Sequence, residues 1–396
     1  MQQPRFELKF AIAASLIACG ILYGSLFPFR FESGFGLGDS LRHLFSGPPA
    51  VSSRGDRIAN VLLYMPFGLF AVQAFRRRPG WMGITAVTLV GLALSTAIEV
   101  TQTYDRGRIP SIYDVYSNTL GNFVGAVAGA ILFHRGAWLW RAAHPGRFRS
   151  FYALLMLICW LGYRLFPYVP AIDLHKYWVA VKPLVVNPEL APLALYRYTV
   201  IWMTLSLLWE AVAGTTRGRI LYLLFVPAVW VARIVIVDAV LSPAEVVGGL
   251  LAIALWAGMS RFSGRVVIVG ALLTVLLVLE SLAPFRFSSV ARSFQWIPFY
   301  SFMHGLIITN VLAFFEKAFL YGSWVWVMHR AGVPLGITGT VGALLLLGLR
   351  FAQVYLPGRS AEVTDMVILL ALTGLMELIP DEGPSVISST PRGAPV

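Results

Sequence analysis

The chain has 396 residues, of which 58% are hydrophobic and only 13% charged, about half the roughly 25% charged fraction of a soluble domain. This excludes an ordinary soluble protein, and apolar runs of about 20 residues, rather than alternating segments of about 10, exclude a transmembrane β-barrel. The net charge of +12 does not point to nucleic acid, because the basic residues lie in short loops between apolar spans, where they set topology and meet anionic head groups.

The N-terminus reads MQQPRFELKF, then AIAASLIACGILYGSLFPF. A basic front before an apolar run resembles a signal peptide. The run continues into Phe27-Pro28-Phe29-Arg30 without a small-residue cleavage site, which favours a retained first helix. Hydropathy predicts further spans at 56–76, 80–102, 113–134, 149–167, 196–214, 218–238, 243–260, 265–283, 303–325, 334–353 and 362–380, after a first at 8–28. Residues 168–195 have room for a re-entrant or interfacial piece. Cys19 and Cys159 fall inside spans and read as small buried hydrophobes. Pro28 marks a helix end and Pro66 a kink. His43, His134, His144, His175, His304 and His329 show no metal-ligand spacing, and no cofactor is indicated. The segment after Pro380 is polar and rich in Pro, Gly and Ser, the composition of a disordered tail.

Loop charge predicts the orientation. Arg76-Arg77-Arg78, the arginines 135, 141, 147 and 149, and the pairs Arg217/Arg219 and Arg261/Arg265 lie in loops nearly free of acids, whereas the alternate loops mix signs. Positive loops stay inside, so both termini are expected in the cytoplasm and the loops at 55–60 and 102–114 at the outer face of the plasma (inner) membrane.

Internal similarity follows from comparing the two ends. Ser25-Leu26-Phe27-Pro28-Phe29-Arg30-Phe31 recurs as Ser281-Leu282-Ala283-Pro284-Phe285-Arg286-Phe287, and Ile58-Ala59-Asn60-Val61-Leu62 as Ile308-Thr309-Asn310-Val311-Leu312. Gln102, Tyr104, Gly107, Arg108 and Asp114 recur at one constant offset as Gln353, Tyr355, Gly358, Arg359 and Asp365. The fold class expected is all-α, a polytopic transmembrane bundle of about twelve helices with two parallel four-helix repeats. The organisation expected is a first unit at 1–140, connecting helices at 141–263, a degenerate second unit at 264–380 and a tail at 381–396. In the second copy Glu99 is replaced by Arg350, Asn118 by Leu369, and the position of Asp56 by Leu306, so the first copy reads as the working one and the second as a scaffold or degenerate site.

The candidate site is a group of polar residues at the edges of spans: Asp56, Asn60, Glu99, Gln102, Arg106, Arg108, Asp114 and Asn118. Ionisable groups at such positions are costly in hydrocarbon and mark water-lined, functional places. Glu99 and Gln102 are i, i+3, and Asp114 and Asn118 are i, i+4, so each pair shares a helix face. Asn60 is expected to join the same cluster. Gly121, Gly125 and Gly129 form a small-xxx-small row for close helix packing.

The strings DRIANVLLYMPFG, IEVTQ and YDVYSNTLGNFVG resemble the VanZ-like family of membrane proteins. The matching positions are Asp56, Asn60, Pro66, Phe67, Gly68, Glu99, Gln102, Arg108, Asp114, Asn118 and Gly121 over about residues 20–135, and faintly over 280–380. Ser111 stands where the family often has a further acid, a departure from any two-carboxylate metal site. The family takes its name from a low-level teicoplanin-resistance determinant, and the resemblance implies a cell-envelope role more firmly than any reaction. The reading is therefore a membrane protein that contacts membrane lipids and recognises an anionic or glycosylated amphiphile, such as a lipid-linked glycan or a lipoglycopeptide. Its arginines would hold phosphate or carboxylate, and Glu99, Gln102 and Asn118 would bond hydroxyls. The alternatives are an enzyme acting on a lipid-linked phosphate or glycan, with Glu99 or Asp114 as base, and a scaffold of an envelope complex. No nucleophile–His pair or H-E-x-x-H motif supports the enzyme.

Overall fold

A computed structural model of the chain describes residues 8–32, 36–46, 54–75, 80–105, 110–131, 150–186, 188–304 and 307–378. Fifteen α-helices lie among them: α1 (Leu8–Leu26), α2 (Leu37–Ser46), α3 (Arg54–Gln73), α4 (Trp81–Gln102), α5 (Ile112–Ile131), α6 (Phe151–Arg164), α7 (Leu174–Val185), α8 (Pro192–Ala213), α9 (Thr215–Val235), α10 (Pro243–Gly258), α11 (Arg265–Leu282), α12 (Tyr300–His304), α13 (Ile307–Arg330), α14 (Leu335–Ala352) and α15 (Thr364–Leu378). Twelve of them coincide, to within about five residues, with the twelve spans read from hydropathy. The other three, α2, α7 and α12, are short connecting pieces, and α7 fills the 168–195 region. The helices α4, α9, α11, α13 and α14 are long and apolar enough to cross hydrocarbon, and α1, α3, α6 and α10 carry shorter apolar runs. The chain is a helical membrane protein. The tail after Pro380 lies outside the described residues.

The chain divides into two compact units, Met1–Pro145 and Gly146–Val396. In the first, α5 lies directly on α3. A Cβ added at Gly121 would meet the Val61 carbonyl oxygen at 2.1 Å, and one at Gly125 the Met65 carbonyl oxygen at 2.0 Å. The two backbones are in contact along the glycine row, which is what small residues permit between membrane helices. Tyr64, Phe67, Ile98, Ala14 and Ile21 fill the space between α1, α3 and α4. One expectation is corrected here: Cys19 is exposed on α1, while Cys159 is buried. Burial in a span does not follow from hydropathy alone, because one face of such a helix meets lipid.

In the second unit α8 is the central helix, buried continuously from Val200 to Leu208, the pattern of a helix apolar on every side. Trp160, Trp202 and Phe319 interlock beside it, with ring centroids 5.3 Å apart for Trp160–Trp202 and 6.5 Å for Trp160–Phe319. Three buried carboxylates are each held by two cations. Glu245 pairs with Arg164 and with Arg233, the latter at 3.1 Å. Glu210 binds Arg265 at 2.6 Å and Arg219 at 3.3 Å, and accepts from Trp256 Nε1 at 3.0 Å. Asp365 binds Lys317 at 2.7 Å and also Arg350. Such pairing is what makes charge tolerable at these depths.

One local geometry occurs three times, after α1, α6 and α11. The turns at Pro28, Pro167 and Pro284 each place the following aromatic residue, Phe29, Tyr168 or Phe285, at a φ of 61°, 62° or 61°, a region bulky residues rarely adopt. Each of these residues donates its N–H to Leu26, Leu165 or Leu282 at 2.8, 2.9 or 2.8 Å. Four residues past each proline, the N–H of Glu32, Ala171 or Ser288 donates to the carbonyl of Tyr104, Val235 or Tyr355, at 2.8, 2.8 or 2.7 Å. Three residues before each proline, the carbonyl of Ser25, Arg164 or Ser281 accepts from the side chain of Gln102, Arg233 or Gln353, at 2.8, 3.3 or 2.7 Å.

Candidate functional site

The polar residues of the first unit gather along the seam between α4 and α5. On α4, Ser95, Glu99 and Gln102 follow helical spacing and face inward, and Glu99 is only 3% exposed. On α5, Asn118 and Asn122 repeat at i, i+4 on the matching face, and both are buried. Two side chains tie the helices together. Asn118 Nδ2 donates to Ser95 Oγ at 2.9 Å, and Asn122 Nδ2 donates to the Val87 carbonyl at 2.8 Å. Interhelical bonds of this kind contribute about 0.6 kcal/mol each on average in membrane proteins.

Glu99 caps a helix that is not its own. Its Oε2 accepts the Ser111 N–H at 2.8 Å, and Ser111 immediately precedes α5. The first N–H groups of a helix have no partner within it, and the positive end of the helix dipole favours a carboxylate there. Asp114 adds a second acid in the first turn of α5 and is half-buried. Gln102, at the end of α4, reaches back to the Ser25 carbonyl and so holds the Pro28 turn against the seam. The seam thus runs from Asn122 outward to Asp114, roughly 12 Å at 1.5 Å per residue.

The structure brings together Glu99, Gln102, Asp114 and Asn118, four of the eight residues singled out from sequence. Asn60 is half-buried on α3 and makes no hydrogen bond to the seam; Tyr64, one turn further along, faces Ser95 and Glu99 in its place. Arg106, Arg108 and the Asp56 side chain lie outside the described residues. Asp105 is a further acid at this end of α4. It is 4% exposed, and neither carboxylate oxygen has a hydrogen-bond donor among the described residues. Ser95, Ser111, Tyr64 and Asn122 belong to the site but were not among the residues sequence singled out. Ser95 and Asn122 sit one turn beyond Glu99 and Asn118, so extending the helical spacing by one turn in each direction reaches them.

This arrangement is a buried carboxylate surrounded by amides and hydroxyls within a membrane unit. It can accept and donate hydrogen bonds to a polyhydroxylated or charged head group, and the described residues place no histidine or thiol beside it. Residues 9–134 match the family model VanZ/LLP1. This N-terminal segment, about a third of the chain, is similar to that family. No curated protein and no solved structure matches the chain.

Proposed function

We propose that the chain is a multi-pass protein of the plasma membrane whose first unit recognises an anionic or glycosylated amphiphile of the cell envelope at the outer face. The observation that carries this reading is Glu99, a carboxylate held 3% exposed among Ser95, Ser111 and Asn118 at the mouth of two membrane helices. A group so placed is costly to keep unless it serves. The flanking segment supplies Arg106 and Arg108 for a phosphate or carboxylate. The test is mass spectrometry of lipids that copurify with the full-length protein. Glu99→Gln, Arg108→Ala and Asp114→Asn are expected to fold and to lose one class of copurifying amphiphile. An unchanged lipid profile in all three would remove the basis for the reading.

The repeated turn geometry supports a repeated architecture. The Gln102 and Gln353 anchors belong to the two copies read from sequence. The Arg233 anchor, with Pro167, Tyr168 and Val235, has the same geometry in the connecting helices between them. In all three sets an acid follows the anchor by twelve positions and opens the next helix: Asp114, Glu245 and Asp365. On this reading the chain carries three copies of one unit, and the middle copy is hidden in sequence because its glutamine has become arginine.

A further inference from the structure

The second unit contains a cavity of about 590 Å³ between the first turns of α8, the end of α11, the middle of α13 and the end of α14. Four cations line it, Arg197, Lys317, Arg350 and Arg359, against two acids, Glu280 and Glu316. Their pairing is uneven. Arg197 is held between Glu280, at 2.8 Å, and Glu316. Lys317 and Arg350 share the single carboxylate of Asp365, which is fully buried. The other nearby acid, Glu362, is buried and accepts the Ser301 N–H at 3.2 Å.

Arg359 makes no ion pair among the described residues. Its Nε and Nη2 donate to the carbonyls of Ala283 and Glu280, both at 3.1 Å. Backbone carbonyls fix the guanidinium in place, and the nearest acid, Glu280, is already paired with Arg197, so Arg359 shares that field without a carboxylate of its own. A guanidinium has five N–H donors in a rigid fork, so those not used on the backbone remain for a ligand. This is a prearranged anion-binding group on the wall of a cavity.

The position of the cavity indicates the rest of the ligand. Most of its polar wall lies where α8 begins and where α11 and α14 end, and Glu316 and Lys317 in the middle of α13 complete it. Leu193, Leu277 and Leu320 are among its apolar lining. Charge at the helix ends with leucine beside it suits a molecule whose anionic head stays at the interface while its chain lies in hydrocarbon. We propose that this cavity is a second ligand site, taking the phosphate-ester head of an amphiphile, with Arg359 as the principal phosphate-binding group. The C-terminal copy is then a working site rather than a scaffold. The proposal does not depend on the role of the first unit.

The test is isothermal titration calorimetry on the purified full-length protein in neutral detergent. The probes are dihexanoyl phosphatidic acid, dihexanoylglycerol and inorganic phosphate. The phosphatidic acid is expected to bind saturably and at least tenfold tighter than the other two. Arg359→Gln is expected to weaken it about tenfold, both alone and in an Arg108→Ala background, which separates this site from the one in the first unit. Glu316→Gln removes a lining acid while Arg197 keeps Glu280, and should tighten binding several-fold, a gain that a misfolded variant cannot give. Inorganic phosphate binding as tightly as the lipid would assign the cavity to a soluble phosphate. Absence of saturable binding, or Arg359→Gln and Glu316→Gln both leaving the affinity at the parent value, would overturn the proposal.

Discussion

Gly125→Ala tests the contact on which the first unit is built. The added methyl carbon would stand 2.0 Å from the Met65 carbonyl oxygen, about 1.4 Å short of the 3.4 Å at which ordinary contact begins. It would also stand 2.8 Å from the Met65 carbonyl carbon and 2.9 Å from its Cα. All three atoms are backbone, so no side chain can swing away and α5 must move off α3. Overpacking of this kind costs about 1–3 kcal/mol. With three backbone atoms inside contact distance the upper end of that range applies; alanine recovers up to about 1 kcal/mol of helix propensity, so the net loss expected is at least about 2 kcal/mol, roughly a 30-fold change in the folded-to-unfolded ratio. Gly20→Ala is the matched control, because a Cβ at Gly20 on α1 meets nothing within 4 Å. The assay is reversible unfolding of the full-length protein by SDS titrated into mixed micelles. Gly125→Ala should lower the unfolding midpoint and Gly20→Ala should hold or raise it. Equal midpoints for the two variants would refute the backbone contact between α3 and α5.

Further predictions concern the buried charges and the turns. Glu210→Gln should cost about 3–5 kcal/mol, because it leaves Arg265 and Arg219 without their shared carboxylate at a site where Glu210 is 7% exposed; the same SDS titration measures it. Gln102→Leu, Arg233→Leu and Gln353→Leu should each speed hydrogen exchange at one amide, Glu32, Ala171 and Ser288 respectively, and leave the other two protected. Exchange that stays slow at Ala171 in Arg233→Leu would contradict the equivalence of the middle turn with its two neighbours. Asn118→Leu should cost about 1–3 kcal/mol through the loss of its amide bond to Ser95 and the polar hydroxyl left buried.

The twelve apolar helices are legible in the sequence because each is long relative to its loops and, apart from Glu316 and Lys317 in the middle of α13, carries its charges toward its ends. The short pieces are not read as spans: α2 is amphipathic and pairs Arg42 with Asp39 on an exposed face at 3.8 Å, and α7 carries Lys176 and Lys182. Within the site, Glu99 with Gln102, and Asp114 with Asn118, are legible because helical spacing places each pair on one face of its own helix. Tyr64 is not, since its place beside Ser95 depends on how α3 crosses α4. The exposed Cys19 shows the same limit, because hydropathy ranks residues without saying which face of a helix meets lipid. The middle turn escapes sequence comparison for a chemical reason. Arginine and glutamine can both donate to the same carbonyl, so Arg233 performs the work of Gln102 and Gln353 without resembling them.

The central claim is that the seam of the first unit is hydrated and open to the cell exterior at Asp114. In a Cys19→Ala, Cys159→Ala background, Asp114→Cys can be exposed in intact cells to a membrane-impermeant methanethiosulfonate carrying a quaternary ammonium. The account predicts modification in intact cells, at a rate that permeabilisation does not raise. Modification only after permeabilisation, or none under either condition, would contradict it.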